Sequence, residues 1–172
     1  SAASDVYKRQ KQTGCGRTPW HFDDHHFPLD TNDVVTAWIP AQPIPLEMGP
    51  LSFAYPLDVH KLVNAVTFEK TGTGYDRRVS EVFLKNNVSV NETPFELGEV
   101  SFHHNLNFHT ASSNRTNRSR VALANTYYRD GARVVHAPTM VSGDWQKFMP
   151  NVKPGDIAAS PLNPICWPVD DK

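Results

Sequence analysis

Apolar positions along this chain recur mostly at every second residue, in runs of strand rather than helix length. In Asp33-Val-Val-Thr-Ala-Trp-Ile39, Val34, Thr36 and Trp38 alternate with Val35, Ala37 and Ile39, and Pro40 ends the run. That β-branched and aromatic content suits a pleated, half-buried surface. Residues 40–50, PAQPIPLEMGP, hold four prolines and a glycine and predict a loop. Leu51 to Ala54 predicts another short strand, and strand character returns at Glu99–His104, Asn107–Ala111, Arg120–Tyr128 and Arg133–His136. Helical spacing occurs at Val59, Leu62, Val63 and Val66, which predicts one short amphipathic helix. Arg77 to Leu84 predicts one or two further helical turns. Between them TGTG at 71–74 reads as a linker, because neither a strand nor a lysine frames it as a phosphate loop. The proline-rich end predicts a packed, irregular tail. Many short strands separated by turns predict a mainly β fold, a sandwich or barrel with short helical insertions and no internal repeat.

Composition narrows the function classes. Of 172 residues 39% are hydrophobic and 20% charged, enough apolar surface for a core. Lysine plus arginine number 17 against 18 acidic residues, so there is no basic footprint for nucleic acid or an anionic membrane. No apolar run is long enough to span a bilayer. Cys15 and Cys166 stand near opposite ends and read as two unpaired thiols of a reducing, cytoplasmic setting. Four N-x-S/T matches, at Asn87, Asn91, Asn114 and Asn117, read as chance. The first ten residues, SAASDVYKRQ, resemble a translated sequencing adapter and are set aside as a non-native head. With no initiator methionine, the chain is expected to begin inside a longer natural domain.

The candidate chemistry lies in TPWHFDDHHFPLD, residues 18–30, with three histidines and three aspartates. If His21-Phe22-Asp23 is extended, residues i and i+2 share a face, so an imidazole and a carboxylate converge while Phe22 turns away. A third ligand is offered downstream, in LNFHTASSNRTNRSRVAL at 106–123. There Asn107 and His109 take one face, the run SSNRTNRS turns the chain, and a reversal about Asn114-Arg115 brings Arg120 level with His109. The spacing leaves open whether the two segments pair directly or face each other across a barrel. Two histidines and one carboxylate form the facial triad of non-haem Fe(II) oxygenases, with positions left for a chelating cosubstrate and dioxygen. An arginine beside it has a task, since its planar fork grips a carboxylate bidentately.

TPWHFD, VTAWIP, MGPLSFA, LGEVSFHHNLNFHTASSNRTNRSRVAL and YYRDGARV together resemble the phytanoyl-CoA dioxygenase family of Fe(II)/2-oxoglutarate oxygenases, from about Thr18 to Trp167. The resemblance implies a double-stranded β-helix, or jelly roll, with residues 11–172 as an N-terminally truncated part of the domain. It implies that His21, Asp23 and His109 ligate iron, that Arg120 binds the distal carboxylate of 2-oxoglutarate, and that Trp38 lines the cosubstrate pocket. The implied reaction consumes dioxygen and 2-oxoglutarate, releases succinate and carbon dioxide, and hydroxylates a small organic substrate. Related halogenases have a small residue in place of the carboxylate, so Asp23 favours hydroxylation. Two departures stand out: Ala54-Tyr-Pro-Leu57 where the family often has Gly-Ser-His, and Ala111 where it often has serine. Strands upstream of the motif are missing by this reading, which leaves an open sheet edge.

Other residues are weighed against this core. One of Asp24, His25 and His26 could orient a ligand, though all three suit a solvated loop. His103 and His104 alternate, so at most one points inward, and packing is favoured over ligation. Tyr127 and Tyr128 read as strand aromatics, while Glu47 and His60 have no assignment. No G-x-S-x-G occurs to support a serine hydrolase. The alternatives are a non-catalytic metal-binding jelly roll or inactive fragment, and a zinc hydrolase with the same three ligands, which would have no evident use for Arg120.

Overall fold

A computed structural model describes residues 2–69, 74–137 and 145–166. Among the described residues, eight strands form two four-stranded antiparallel sheets. β1 (Ala2–Lys11), β8 (Arg120–Arg129), β3 (Val34–Pro40) and β6 (Ser101–His104) make one, in that order. β2 (Thr18–His21), β7 (His109–Ala111), β4 (Leu51–Tyr55) and β5 (Ser89–Glu92) make the other. The pairing is nested: first strand with last, second with seventh, third with sixth, fourth with fifth. β7 and β8 therefore belong to different sheets, and His109 faces Arg120 across the interior rather than along a hairpin.

Alternation distributes the side chains. On β8 the inward positions are Arg120, Ala122, Ala124, Thr126 and Tyr128, all buried. The small residues among them leave space between the sheets, and Trp38, Ile44, Met48 and Leu51 close that space at one end with Ala111. On the second sheet Trp20 and Phe108 turn outward, where Trp20 stacks on Phe108 at 5.5 Å and meets Phe83 edge-on at 5.0 Å. Phe83, Val79 and Tyr75 recur every fourth residue along α2 (Gly74–Asn86) and form its buried face. Val59 and Val63 of α1 (His60–Val63) join the same layer. At the other end the irregular tail supplies Trp145, Met149, Val152 and Ala158 against Leu29, Val34 and Tyr128.

Several expectations are modified. The segment set aside as a head forms β1, which pairs with β8 from Ala2–Arg129 to Lys11–Arg120, so the edge expected to be open is covered. At its end the buried Lys11 ammonium donates to the carbonyls of Ala111 (3.0 Å) and Ser112 (2.7 Å), tying the two sheets together. Burial, and then the Arg120 guanidinium, push this amine down to about 8. The helix expected from Val59 to Val66 is one turn, with Leu62 exposed. α2 runs longer than Arg77–Leu84 at both ends. Arg133–His136 makes only isolated bridges, to Leu29 and Ile157. β5 was not foreseen, since SVNE is exposed at every position. Residues 71–73 of TGTG, and Trp167, lie outside the described residues. Cys15 and Cys166 are free thiols.

One loop residue is strictly constrained. Gly49 sits at φ +74°, and a Cβ there would run into the backbone carbonyl of Ser112. Its own carbonyl accepts from Arg120 Nη1. Gly49→Ala is expected to cost about 3 kcal/mol, because left-handed strain and a backbone clash add. Urea unfolding measures this, and a loss below about 1 kcal/mol would show that the loop yields.

Candidate metal centre

His21 ends β2 and His109 begins β7, paired in register, so their rings lie side by side with centroids 4.2 Å apart. Both point into the space between the sheets, opposite to Trp20 and Phe108. The chain stays extended through Phe22 (φ −123°, ψ 147°) and then tightens into a 3-10 turn, Asp23–His26. Asp23 is thus the first residue of a turn rather than a strand residue, yet its side chain still swings to the face of His21. Asn105 secures that turn: its amide donates to Asp24 Oδ1 at 3.1 Å, and its carbonyl accepts from Asp24 N–H at 3.2 Å.

Ligating atoms of His21, Asp23 and His109 all lie within 4.8 Å of one another, so these three could hold a metal ion. Nε2 of His21 and Nε2 of His109 are each 3.8 Å from Asp23 Oδ1. On each ring the other nitrogen is committed: His21 Nδ1 is 2.9 Å from the Pro19 carbonyl, and His109 Nδ1 is 2.9 Å from the Asn107 carbonyl. A carbonyl can only accept, so each Nδ1 carries the proton and each Nε2 offers a lone pair to the centre.

Charge follows the same logic. Burial alone would raise the Asp23 carboxyl, but the surrounding imidazoles, His109 foremost and then His103 and His21, outweigh it and hold the group well below the usual carboxylate range. Burial first, and then the neighbouring His21, push His109 down to about 3. At neutral pH the site therefore holds one carboxylate and a neutral His109 imidazole, the forms that bind a cation. A consequence concerns the metal-free protein. Its His109 stays neutral when folded but protonates near pH 6.5 when unfolded, so the stabilisation is complete above 6.5 and is lost as pH falls toward 3. Between pH 7.5 and 5 this should remove about 2 kcal/mol of stability. Denaturation midpoints at the two pH values measure it, with His109→Gln showing a flatter dependence; equal slopes for the two proteins would exclude this cause.

The three residues line a cavity of about 210 Å³ that also takes in Thr36, Trp38, His103, Ala111, Arg120, Ala124 and Thr126. Arg120 is 6% exposed, with its guanidinium carbon 5.5 Å from the Trp38 ring centroid. The sequence-derived set of His21, Asp23, His109, Arg120 and Trp38 is thus gathered round one space. Of the undecided residues, His26 reaches the cavity, as does the neighbouring Phe27, while the His25 ring is tilted against Phe22 at 4.0 Å and meets Phe68 edge-on. Tyr128 is buried in the tail-side core, donating from its hydroxyl to the Ala158 carbonyl at 2.6 Å.

His103 is the residue that sequence reasoning undervalued. It is buried beside the triad, Nε2 3.5 Å from Asp23 Oδ2, while His104 faces outward. Register places it: His103 pairs with Thr36, a buried β3 residue that lines the same cavity. Thr36 itself donates to Asp23 Oδ2 at 3.3 Å.

A two-sheet β shell with two imidazoles and a carboxylate converging inside it is the architecture of a mononuclear metal centre with open coordination positions. The chain belongs to the phytanoyl-CoA dioxygenase (PhyH) family, whose model matches residues 3–122 and so takes in all three candidate ligands and Arg120. No curated protein matches it. Among solved structures, the chain is similar to the non-heme alpha-ketoglutarate-dependent carbocyclase SnoK from nogalamycin biosynthesis, at 24% identity and TM-score 0.70 over 94% of this chain and 62% of that one. It is also similar to the epimerase SnoN of the same biosynthesis, at 19% identity and TM-score 0.69 over 95% and 62%. SnoN has in addition been solved in complex with Fe3+, alpha ketoglutarate and nogalamycin RO, at 20% identity and TM-score 0.68 over 95% and 64%. The chain spans under two thirds of the length of these structures, and at such identities the likeness is one of fold. No helix among the described residues is long and apolar enough to cross a membrane.

Proposed function

We propose that this chain is the core of an Fe(II)- and 2-oxoglutarate-dependent dioxygenase that hydroxylates a small organic substrate and releases succinate and carbon dioxide. The observation that carries the reading is the orientation of His21 and His109, both with Nδ1 spent on a carbonyl and Nε2 turned to Asp23 Oδ1. Nested strand pairing supports a double-stranded β-helix, with the site between its sheets. His21, Asp23 and His109 would hold ferrous iron, a donor set suited to that metal. Iron, when bound, supplies dioxygen activation and the redox chemistry; the protein supplies orientation and a dry cavity.

Arg120 would receive the distal carboxylate of 2-oxoglutarate. Its Nη1 is anchored on the Gly49 carbonyl and its plane lies near the Trp38 ring, so the fork is held before the cosubstrate arrives. Ala111 and Ala124 keep the path between Arg120 and the ligands free of bulk. The cavity is smaller than the roughly 300–1,000 Å³ typical of sites that enclose a drug-sized ligand. It would therefore take the cosubstrate and only the reacting end of the substrate, the rest lying at the mouth. Near-neutral charge fits a small-molecule partner rather than nucleic acid, and free thiols fit a reducing, cytoplasmic setting.

The test is succinate formation when the protein receives Fe(II), ascorbate and 2-oxoglutarate, read with and without a panel of small hydroxylatable compounds. Uncoupled decarboxylation above the protein-free background is expected, rising with any true substrate. Tight iron binding with no succinate across the panel would instead identify a non-catalytic metal-binding module.

A further inference from the structure

The two oxygens of Asp23 have different surroundings. Oδ1 is equidistant, at 3.8 Å, from the two histidine nitrogens that would share a metal with it. Oδ2 is turned away from them and meets two potential donors, Thr36 Oγ1 at 3.3 Å and His103 Nε2 at 3.5 Å. Thr36 is backed by Thr126, 3.1 Å away on the neighbouring strand, so a relay of hydroxyls runs from β8 to the carboxylate. On the other side His103 is 5% exposed, its ring 5.4 Å from that of Phe53 and 4.8 Å from that of His109.

The His103 ring is buried at a cost. Among the described residues its Nδ1 has no hydrogen-bond partner, and an unsatisfied buried nitrogen works against folding. An apolar ring of equal size would fill the same space beside Phe53 without that penalty. What an apolar ring could not do is address Oδ2. With Nδ1 lacking any acceptor, the favoured tautomer places the proton on Nε2, facing the carboxylate.

We infer that His103 is a positioning residue: with Thr36 it occupies Asp23 Oδ2 and so makes Asp23 a one-oxygen ligand, which keeps a coordination position open for the cosubstrate. This inference rests on the proposed iron and 2-oxoglutarate chemistry. With two histidines, a carboxylate using both oxygens would fill four of six positions, so that the chelating 2-oxo acid and a water or dioxygen would compete for the two that remain. His103 therefore acts on cosubstrate chelation rather than on metal capture, a distinction no purely packing role would produce.

The experiment uses the full chain, anaerobically. Co(II) affinity is measured by calorimetry, and 2-oxoglutarate is titrated against the Fe(II)-loaded protein through the visible charge-transfer band of the chelate. Removing the donor with His103→Phe should leave Co(II) affinity equal or tighter while raising the 2-oxoglutarate concentration for half-saturation about tenfold or more. His103→Gln returns an N–H donor near the same place and should recover most of that loss. Thr36→Val, which removes the other donor, should shift the titration in the same direction and keeps the test open if Phe at 103 does not fold. Unchanged 2-oxoglutarate titrations in both donor-less variants would overturn the inference and leave His103 as packing. Weakened Co(II) binding in His103→Phe without rescue by Gln would overturn it in favour of a fourth ligand. A wild-type protein that binds Co(II) yet develops no chelate band would remove the cosubstrate reading itself, and this inference with it.

Discussion

Arg120→Ala is expected to raise the 2-oxoglutarate concentration for half-maximal decarboxylation at least a hundredfold, about 3 kcal/mol, while metal affinity without cosubstrate stays within about twofold. The guanidinium is buried, and one edge is already engaged by the Gly49 carbonyl. The residue lines the same cavity as the negatively charged Asp23. A dicarboxylate entering that space gives up water at both ends, and among the described lining residues only Arg120 is a permanent cation. Without it, one carboxylate is left desolvated and unpaired, the costly case for a buried charge. Arg120→Lys should recover only part of the loss, because an ammonium is a point charge without the bidentate fork. The alanine variant also loses the bond to Gly49 and the Trp38 contact, about 1–2 kcal/mol of stability, so the titration must be read on protein shown to be folded. An unchanged 2-oxoglutarate requirement in folded Arg120→Ala would remove Arg120 from the cosubstrate site.

The second large effect belongs to His109. His109→Ala should lower metal affinity about a thousandfold, roughly 4 kcal/mol, and abolish detectable decarboxylation. The reasoning is geometric. His109 Nε2 is delivered by the register of β7 against β2, and its Nδ1 is pinned to the Asn107 carbonyl, so the lone pair is aimed before any ion arrives. Two remaining donors, His21 and Asp23, cannot close a site facing open space. His25→Ala serves as the comparison: the ring belongs to the same DDHH run but is tilted against Phe22 and does not line the cavity, and its loss should change metal affinity less than about twofold. Calorimetric titration with Co(II) reads both, and comparable losses in the two variants would mean that the triad is misassigned.

Much of this was legible in the sequence because it depends on spacing. H-x-D placed His21 and Asp23 together through the period of an extended chain, and the symmetry of 109 and 120 about a turn brought imidazole and guanidinium level. Trp38 shares the β3 alternation with Thr36, but its place by the cosubstrate was implied by the family resemblance rather than by spacing. What spacing could not reveal was the partner of each strand. Nothing local distinguishes a hairpin from two strands in opposed sheets, and that choice turns a row of side chains into an enclosed cavity. The same limit hid His103: alternation admits one of His103 and His104, and only the pairing with Thr36 selects which. Pattern failed for two strands, each for its own reason. SVNE lacks any apolar face and is held by β4 alone, whereas Ala2–Lys11 was discounted for what its sequence resembles rather than for its residues. Asp23 departs from the extended-chain expectation, since it opens a 3-10 turn and reaches the face of His21 by the direction of its side chain.

The most direct test is an anomalous-difference map from crystals grown anaerobically with Mn(II) and 2-oxoglutarate. A single peak bonded to His21 Nε2, Asp23 Oδ1 and His109 Nε2, with cosubstrate density running from it to the Arg120 guanidinium, is the predicted result. A peak bound elsewhere, or three side chains with no shared ion at saturating metal, would contradict the account.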